Sequence, residues 1–558
     1  MAEVLKDEFT HTQSQRDAVD TTAQLENEAE ASIELSARFL AYVAESLAED
    51  QSTPTRTALL LNVFKFFTST YLATKDIHSL TSTFDSDTRK SVLSAYFLAV
   101  AALKAREIDA SIPKQESALL AAALSKKASV FALFGGQGTN EVYFDELQNL
   151  YDIYKPFVAP FVRTLTEDVL VPLAAEEEAA THYKFGLDVV SWLSGAAARP
   201  AVPYLASVPI SFPLIGLTQL VQYLVVCLVA NLTPGELRSR ISGATGHSQG
   251  IVSAVVIATS GTFEEFADNS RKAIKWLFYS GLRGQQAFPV TSVEHRIVQD
   301  AIVGGEGTPS PMLSIAGLTL KELEPHVSKT NQHLPANSQL HVSLHNGPKT
   351  FVITGPPKAL FGLVTSLRKV RAQNGLDQSK TPFSQRKPVF SIRFLLVGVP
   401  YHSEYLDGVT DTVEEDLEDE ELWEAKDLKI PVYNTEDGIF VSLPNIGAYK
   451  LIFILLGSDM RELKSSVTRS LCDQIFTSPI HWPKATNFSE TATHAIDFGP
   501  GGLSGIGPLT ARNLDGRGVR VIVTGDKGKG YAELFNSLDI KYESCWNKKW
   551  APGLVRTR

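Results

Sequence analysis

Cysteine is scarce in this 558-residue chain: Cys227, Cys472 and Cys545 stand far apart, with no Cys-x-x-Cys pair. That excludes a disulfide framework and a cysteine-rich zinc site, and it fits a reducing compartment. Basic residues fall short as well, with 52 Lys and Arg against 62 Asp and Glu and a net charge of -10. Nucleic-acid binding needs a basic face, so that class of partner is set aside. The start, Met1 to Glu8, is charged and lacks the apolar core of a secretory signal. One long apolar run raises the question of a membrane, Ile215 to Leu232. Thr218, Gln219 and Gln222 interrupt it, and it reads as a buried helix packed on a sheet. The expectation is a cytoplasmic protein without a membrane or nucleic-acid partner.

What is present is a globular composition, 44% hydrophobic with a mean hydropathy of -0.02, at a length that allows roughly three domains. Residues 1–125 read as helix, with few Gly or Pro, and serve as a scaffold whose first thirty residues are polar and loosely held. From Val130 short apolar runs alternate with helical stretches and glycine turns, which indicates a mostly parallel, helix-covered sheet over 126–308 and 399–558. Between these halves, 309–398 has another rhythm. Met312–Ala316 is a strand and Leu320–Asn331 a helix. His341–Leu344 and Thr350–Thr354 make a hairpin, Pro357–Val370 a helix, and Val389–Ile392 a closing strand. That βαββαβ order is ferredoxin-like. The predicted fold class is thus α/β: a parallel-sheet core, an inserted ferredoxin-like subdomain and an N-terminal helical domain. The acidic stretch Glu414–Glu421 reads as a solvated helix face or loop.

Gly246-His247-Ser248-Gln249-Gly250 carries the chemistry. It joins an apolar run to Ile251–Ala258, and Gly-x-Ser-x-Gly lets a serine ride a tight strand-to-helix turn. The following helix aims its N-terminal N–H groups at the reaction centre. A nucleophilic serine needs a base. Of twelve histidines, His402 stands out, because it follows the strand-like run Val397–Tyr401 where the inserted subdomain returns to the main sheet. A neutral imidazole there can take the Ser248 proton and later return it. His247 is read as structural. The N–H of Gln249 and the backbone at Gln137, in the turn Gly135-Gly136-Gln137-Gly138, are candidates for an oxyanion hole. That turn has neither the spaced glycines of a dinucleotide fingerprint nor a P-loop lysine.

Phe134–Gly138, Gly246–Gly250, Pro400-Tyr401-His402-Ser403 and Asp497-Phe498-Gly499-Pro500-Gly501, in this order, resemble the acyl-CoA:acyl-carrier-protein transacylases. Thr233–Ser239, Pro309–Ile315 and Gly375–Ser379 with Pro382-Phe383-Ser384 narrow the resemblance to the acetyltransferase region of the fungal fatty acid synthase β subunit. The resemblance implies a Ser248–His402 dyad without a carboxylate, its imidazole oriented by a backbone carbonyl near Gly499–Gly501. It places Gln137 and Gln249 at the oxyanion hole and Asn346 at a position facing the cleft. It implies acyl-CoA as substrate, phosphopantetheine on an acyl carrier protein as acceptor, no bound cofactor or metal, and other synthase domains or subunits as further partners. Malonyl-selective members carry an Arg that pairs with the free carboxylate. Ser280 stands at that position here, so a neutral starter, acetyl or longer, is expected. Arg283, one turn on, either approaches the acyl group or turns outward to an ion pair or the CoA phosphates. The chain ends near Trp550–Leu554, where that region would hand over to further domains, as an excised domain or a stand-alone relative would. The competing functions are a serine esterase or thioesterase, a loader of longer starters in a specialised-metabolism synthase, and a non-catalytic scaffold.

Overall fold

The computed structural model describes residues 28–46, 54–108, 117–138, 140–290, 292–372, 377–418, 422–436, 466–502, 505–525 and 529–536. Cys545, Gly375-Leu376, Trp550–Leu554 and most of the first thirty residues lie outside them. The strands in chain order are β1 Val130–Phe134, β2 Gly243–Gly246, β3 Met312–Ala316, β4 His341–Gly347, β5 Thr350–Thr354, β6 Ser391–Phe394, β7 Val432–Tyr433, β8 Ile480–His481, β9 His494–Asp497 and β10 Arg520–Val523. They form two sheets, in the orders β10-β9-β1-β2-β7 and β6-β3-β5-β4-β8.

The first sheet is parallel at every pairing. Its central strand, Val-Phe-Ala-Leu-Phe, is buried at all five positions, as expected for a strand covered by helices on both faces. The apolar run of the sequence becomes the helix Val208–Val229, buried along nearly its whole length. It is long and apolar enough to cross a membrane. An all-round apolar helix is equally what the core of a large α/β protein demands. Here the long helices Tyr143–Leu165 and Phe263–Ala287 pack against it. Its polar side chains are all used inward. Thr218 donates to the Leu214 carbonyl, Gln219 reaches two glycine turns, and Gln222 donates to Glu146. Along the N-terminal region the described helices include Pro54–Tyr71 and Ser86–Lys104.

The second sheet is the ferredoxin-like subdomain, with β3 antiparallel to β5 and β6, and β4 antiparallel to β5. The helices Leu320–Asn331 and Pro357–Val370 cover a separate apolar core of Leu313, Ile315, Leu323, Leu360 and Ile392. Two details differ from the sequence reading. The closing strand runs Ser391–Phe394, not Val389–Ile392, because its partner β3 ends at Ala316 opposite Ser391. The sheet also has a fifth strand: β8, from the far part of the chain, pairs parallel with β4 through Leu344 to Ile480 and His345 to His481. The subdomain is therefore stitched to the core by a backbone ladder. Residues Val397–Tyr401 are irregular, not a strand.

Candidate active site

The serine turn is built by exclusion. A Cβ on Gly246 would lie 2.0 Å from the Gly250 carbonyl carbon, and one on Gly250 would lie 2.4 Å from the Gly135 oxygen. On Gly136 it would meet the His247 oxygen at 2.6 Å and Ser248 Cβ at 3.0 Å. Only hydrogen at these three positions lets β1, β2 and the helix Gly250–Thr259 close to this distance. Ser248 sits at the apex with φ of +54°, the left-handed conformation that side chains rarely adopt.

The candidate nucleophile and base meet. Ser248 Oγ lies 2.9 Å from His402 Nε2, both residues buried. His402 too has a positive φ, +63°, so both members of the pair hold strained backbone, as functional residues often do. His402 Nδ1 is 3.0 Å from the Gln474 carbonyl and 3.0 Å from the Ser478 carbonyl. Carbonyls only accept, so Nδ1 carries the proton and Nε2 presents its lone pair to Ser248. Burial, with neighbouring His247 second, holds the imidazole down at about 3. The two carbonyls pull the other way by stabilising the cation.

These carbonyls correct the sequence reading. The orienting oxygens come from the end of helix Val467–Phe476 and the turn beyond it, not from Gly499–Gly501. The glycine turn instead braces the neighbouring strand ends, since the Gly499 carbonyl accepts the Gly135 N–H at 2.9 Å and Gln219 Nε2 at 3.0 Å. Gln219 Nε2 also reaches the Gly135 carbonyl at 2.6 Å, and its oxygen accepts from Ser253 Oγ at 2.7 Å. One buried amide thus ties the β1 turn, the β9 turn and the nucleophile helix together.

The β1 turn passes directly against Ser248 through Gly136. Gln137 donates its side-chain amide to Ser211 Oγ at 2.8 Å, and Gln249 donates to the Phe212 carbonyl at 2.9 Å. Both side chains are thereby drawn into the start of the helix Val208–Val229. Among the described residues no acceptor takes the backbone N–H of either. Ser280 is fully buried and its Oγ has no hydrogen-bond partner. Its carbonyl accepts at 3.4 Å from Oη of Tyr401, the residue that directly precedes His402. Tyr401 stacks on Phe212 at 4.9 Å, so the wall beside the dyad is aromatic.

Asn346 and Arg283 both have protein partners. Asn346 Oδ1 accepts from His247 Nε2 at 2.8 Å, and its carbonyl accepts from Asn513 Nδ2 at 2.8 Å. Asn346 and His247 thus join the small sheet to the serine turn, and burial keeps His247 neutral, near 4. Arg283 makes a two-pronged ion pair with Asp416 at 2.7 and 2.6 Å, and a further contact with Glu178 at 3.0 Å. Its charge is spent between helices, not on an acyl group. Asp416 and Glu414, which pairs with Arg469, also show that the described part of the acidic stretch is partnered and not merely solvated. The residues that sequence reasoning missed act through backbone. No residue type announces that the carbonyls of Gln474 and Ser478 will face His402. Gln219 did leave a signal, an amide inside an apolar run.

Residues 132–388 match the family described as starter unit:ACP transacylase in aflatoxin biosynthesis, and residues 1–103 the N-terminal domain in fatty acid synthase subunit beta. The chain is 40% identical over 545 residues to fatty acid synthase subunit beta of Saccharomyces cerevisiae, covering 94% of this chain and 25% of that protein. To the Schizosaccharomyces pombe subunit it is 38% identical over 572 residues, covering 100% of this chain and 26% of the relative. It therefore spans about a quarter of the length of these relatives. Among solved structures, a malonyl-CoA:acyl carrier protein transacylase of Xanthomonas oryzae pv. oryzae aligns at 17% identity with a TM-score of 0.46, over 73% of this chain and 98% of that one.

Proposed function

Since this chain belongs to the acyl-carrier-protein transacylase region of fungal fatty acid synthase β subunits, we propose that it moves a neutral starter acyl group, acetyl foremost, from CoA to the phosphopantetheine of an acyl carrier protein. The observation that carries this reading is the 2.9 Å contact between Ser248 Oγ and His402 Nε2. Ser248 Oγ attacks the thioester carbonyl carbon while its proton passes to His402 Nε2. The tetrahedral oxyanion is received by the N–H groups of Gln137 and Gln249. The carbon–sulfur bond breaks, the proton goes to the CoA sulfur, and the acyl group remains on Ser248. The carrier thiol then repeats the sequence in reverse, with His402 as its base.

The neutral-acyl choice rests on the uncharged wall at Ser280 and on Arg283 being held by Asp416. A malonyl carboxylate against that wall would keep several kcal/mol of desolvation uncompensated. The experiment is intact-protein mass spectrometry after brief exposure to acetyl-, butyryl-, hexanoyl- and malonyl-CoA, with and without a carrier protein. The expected outcome is an added acyl mass for the neutral thioesters, lost in Ser248→Ala and discharged by the carrier. A persistent adduct in Ser248→Ala, release to water unaffected by the carrier, or preference for malonyl would each overturn the proposal.

A further inference from the structure

A sizeable cavity lies away from the dyad, between the N-terminal helices and the C-terminal end of the helix Val208–Val229. Its volume is about 630 Å³, within the ~300–1,000 Å³ typical of small-molecule sites. Leu72, Val100 and Leu103 line one side, and Val225, Leu228 and Val229 the other. The stretch of helix from Phe212, beside the dyad, to Val225 is about 20 Å long, so this is a separate site.

Its polar groups divide into two sets. Those in the wall satisfy one another: His78 Nε2 lies 2.9 Å from Tyr154 Oη, and Asp76 caps the N–H groups of His78 and Ser79. Glu236 likewise accepts the Thr233 N–H, and Arg240 donates to the Glu236 carbonyl. The two lysines that line the cavity, Lys75 and Lys104, are not matched in this way. Lys104 Nζ has no carboxylate within ion-pair distance among the described residues and lies 5.7 Å from the Phe157 ring centroid. Desolvation lowers its pKa. An apolar chamber with unmatched ammonium groups at its mouth suits a long apolar tail ending in one anionic group.

We propose that this cavity binds a free long-chain fatty carboxylate, tail against Val100, Leu103, Val225 and Leu228 and carboxylate at Lys104 and Lys75. Apolar burial supplies the affinity, and charge pairing at the mouth selects the acid over a neutral lipid. The site stands independently of the reading of Ser248.

The test is displacement of a fluorescent polyene fatty acid by hexadecanoate and by hexadecanol, on the whole chain carrying Ser248→Ala so that no acyl transfer contributes. One saturable site is expected, with hexadecanol about tenfold weaker than hexadecanoate. Val100→Trp, which fills the chamber, should abolish binding, with Val229→Trp on the opposite wall as the second variant. Lys104→Glu lies at the surface and should keep its melting temperature. It should cost about tenfold for the acid and leave the alcohol unchanged, which decides the matter even where a wall variant fails to fold. Absence of saturable binding, equal affinity for acid and alcohol, or undiminished binding in a folded wall variant would overturn the site.

Discussion

At the scale of single residues, the most telling fact is how little charge surrounds Ser248 and His402. His402 is oriented by two backbone carbonyls, which raise its basicity, and among the described residues no carboxylate adds to them. Burial wins and holds it at about 3. The imidazole is therefore neutral throughout the physiological range, with Nε2 open to a proton. Acylation of Ser248 measured as kcat/KM should be flat from about pH 8 down to about pH 5, without the inflection near 6.5 of an ordinary imidazole. An inflection between pH 6 and 7 would mean that His402 is more solvated than its burial indicates. Ser248 itself and the glycines around it were legible in the sequence, because the turn is a steric necessity written in residue type. The oxygens that orient His402 were not legible, since any residue supplies a carbonyl and only the chain path decides which one arrives.

At the scale of elements, the helix Val208–Val229 is both core and scaffold. Gln219 holds the carbonyls of Gly135 and Gly499 and accepts from Ser253. Gln219→Leu keeps the apolar volume but strands the Gly135 carbonyl and the Ser253 hydroxyl in a dry interior, while the Gly499 carbonyl keeps the Gly135 N–H. That costs about 1–3 kcal/mol for each group left unpaired. The expected result is a loss of about 2–4 kcal/mol in urea unfolding, together with a slower acylation rate as the Gln137 turn loosens. A stable variant with a normal rate would show that water replaces the amide. The helix Phe263–Ala287 is tied to Val409–Asp416 through Arg283 and Asp416. Arg283→Met leaves a largely buried Asp416 without its partner, and should destabilise by about 2 kcal/mol. Preference among acyl-CoA substrates should stay the same, because the guanidinium does not face the dyad. A shift in acyl preference would return Arg283 to the substrate wall. Most of the elements were readable from periodicity, down to both helices of the small subdomain. The fifth strand β8 was not, because two residues carry no period of their own and pair only when β4 is already in place.

At the scale of the whole molecule, the buried imidazoles link folding to acidity. His402 binds its proton at about 3 in the folded state and near 6.5 when unfolded. Between those values the unfolded chain holds more protons, so this group makes stability rise with pH. From pH 7 to pH 5 the native protein should lose about 1–2 kcal/mol through His402 alone. The check is the difference between the native protein and His402→Gln in urea unfolding at both pH values, which cancels the other titrating groups. Equal pH slopes in the two proteins would remove the linkage.

The sequence alone determined the alternation of elements, the steric form of the serine turn and the choice of Ser248 and His402 as candidates, because each depends on residue type at short spacing. Tertiary structure alone decided which carbonyls hold His402, where the charge of Arg283 goes, how β8 from the far part of the chain joins the second sheet and that a chamber remains under the N-terminal helices. Each of those depends on segments far apart in the chain meeting at distances of a few ångströms, and local sequence carries no record of that.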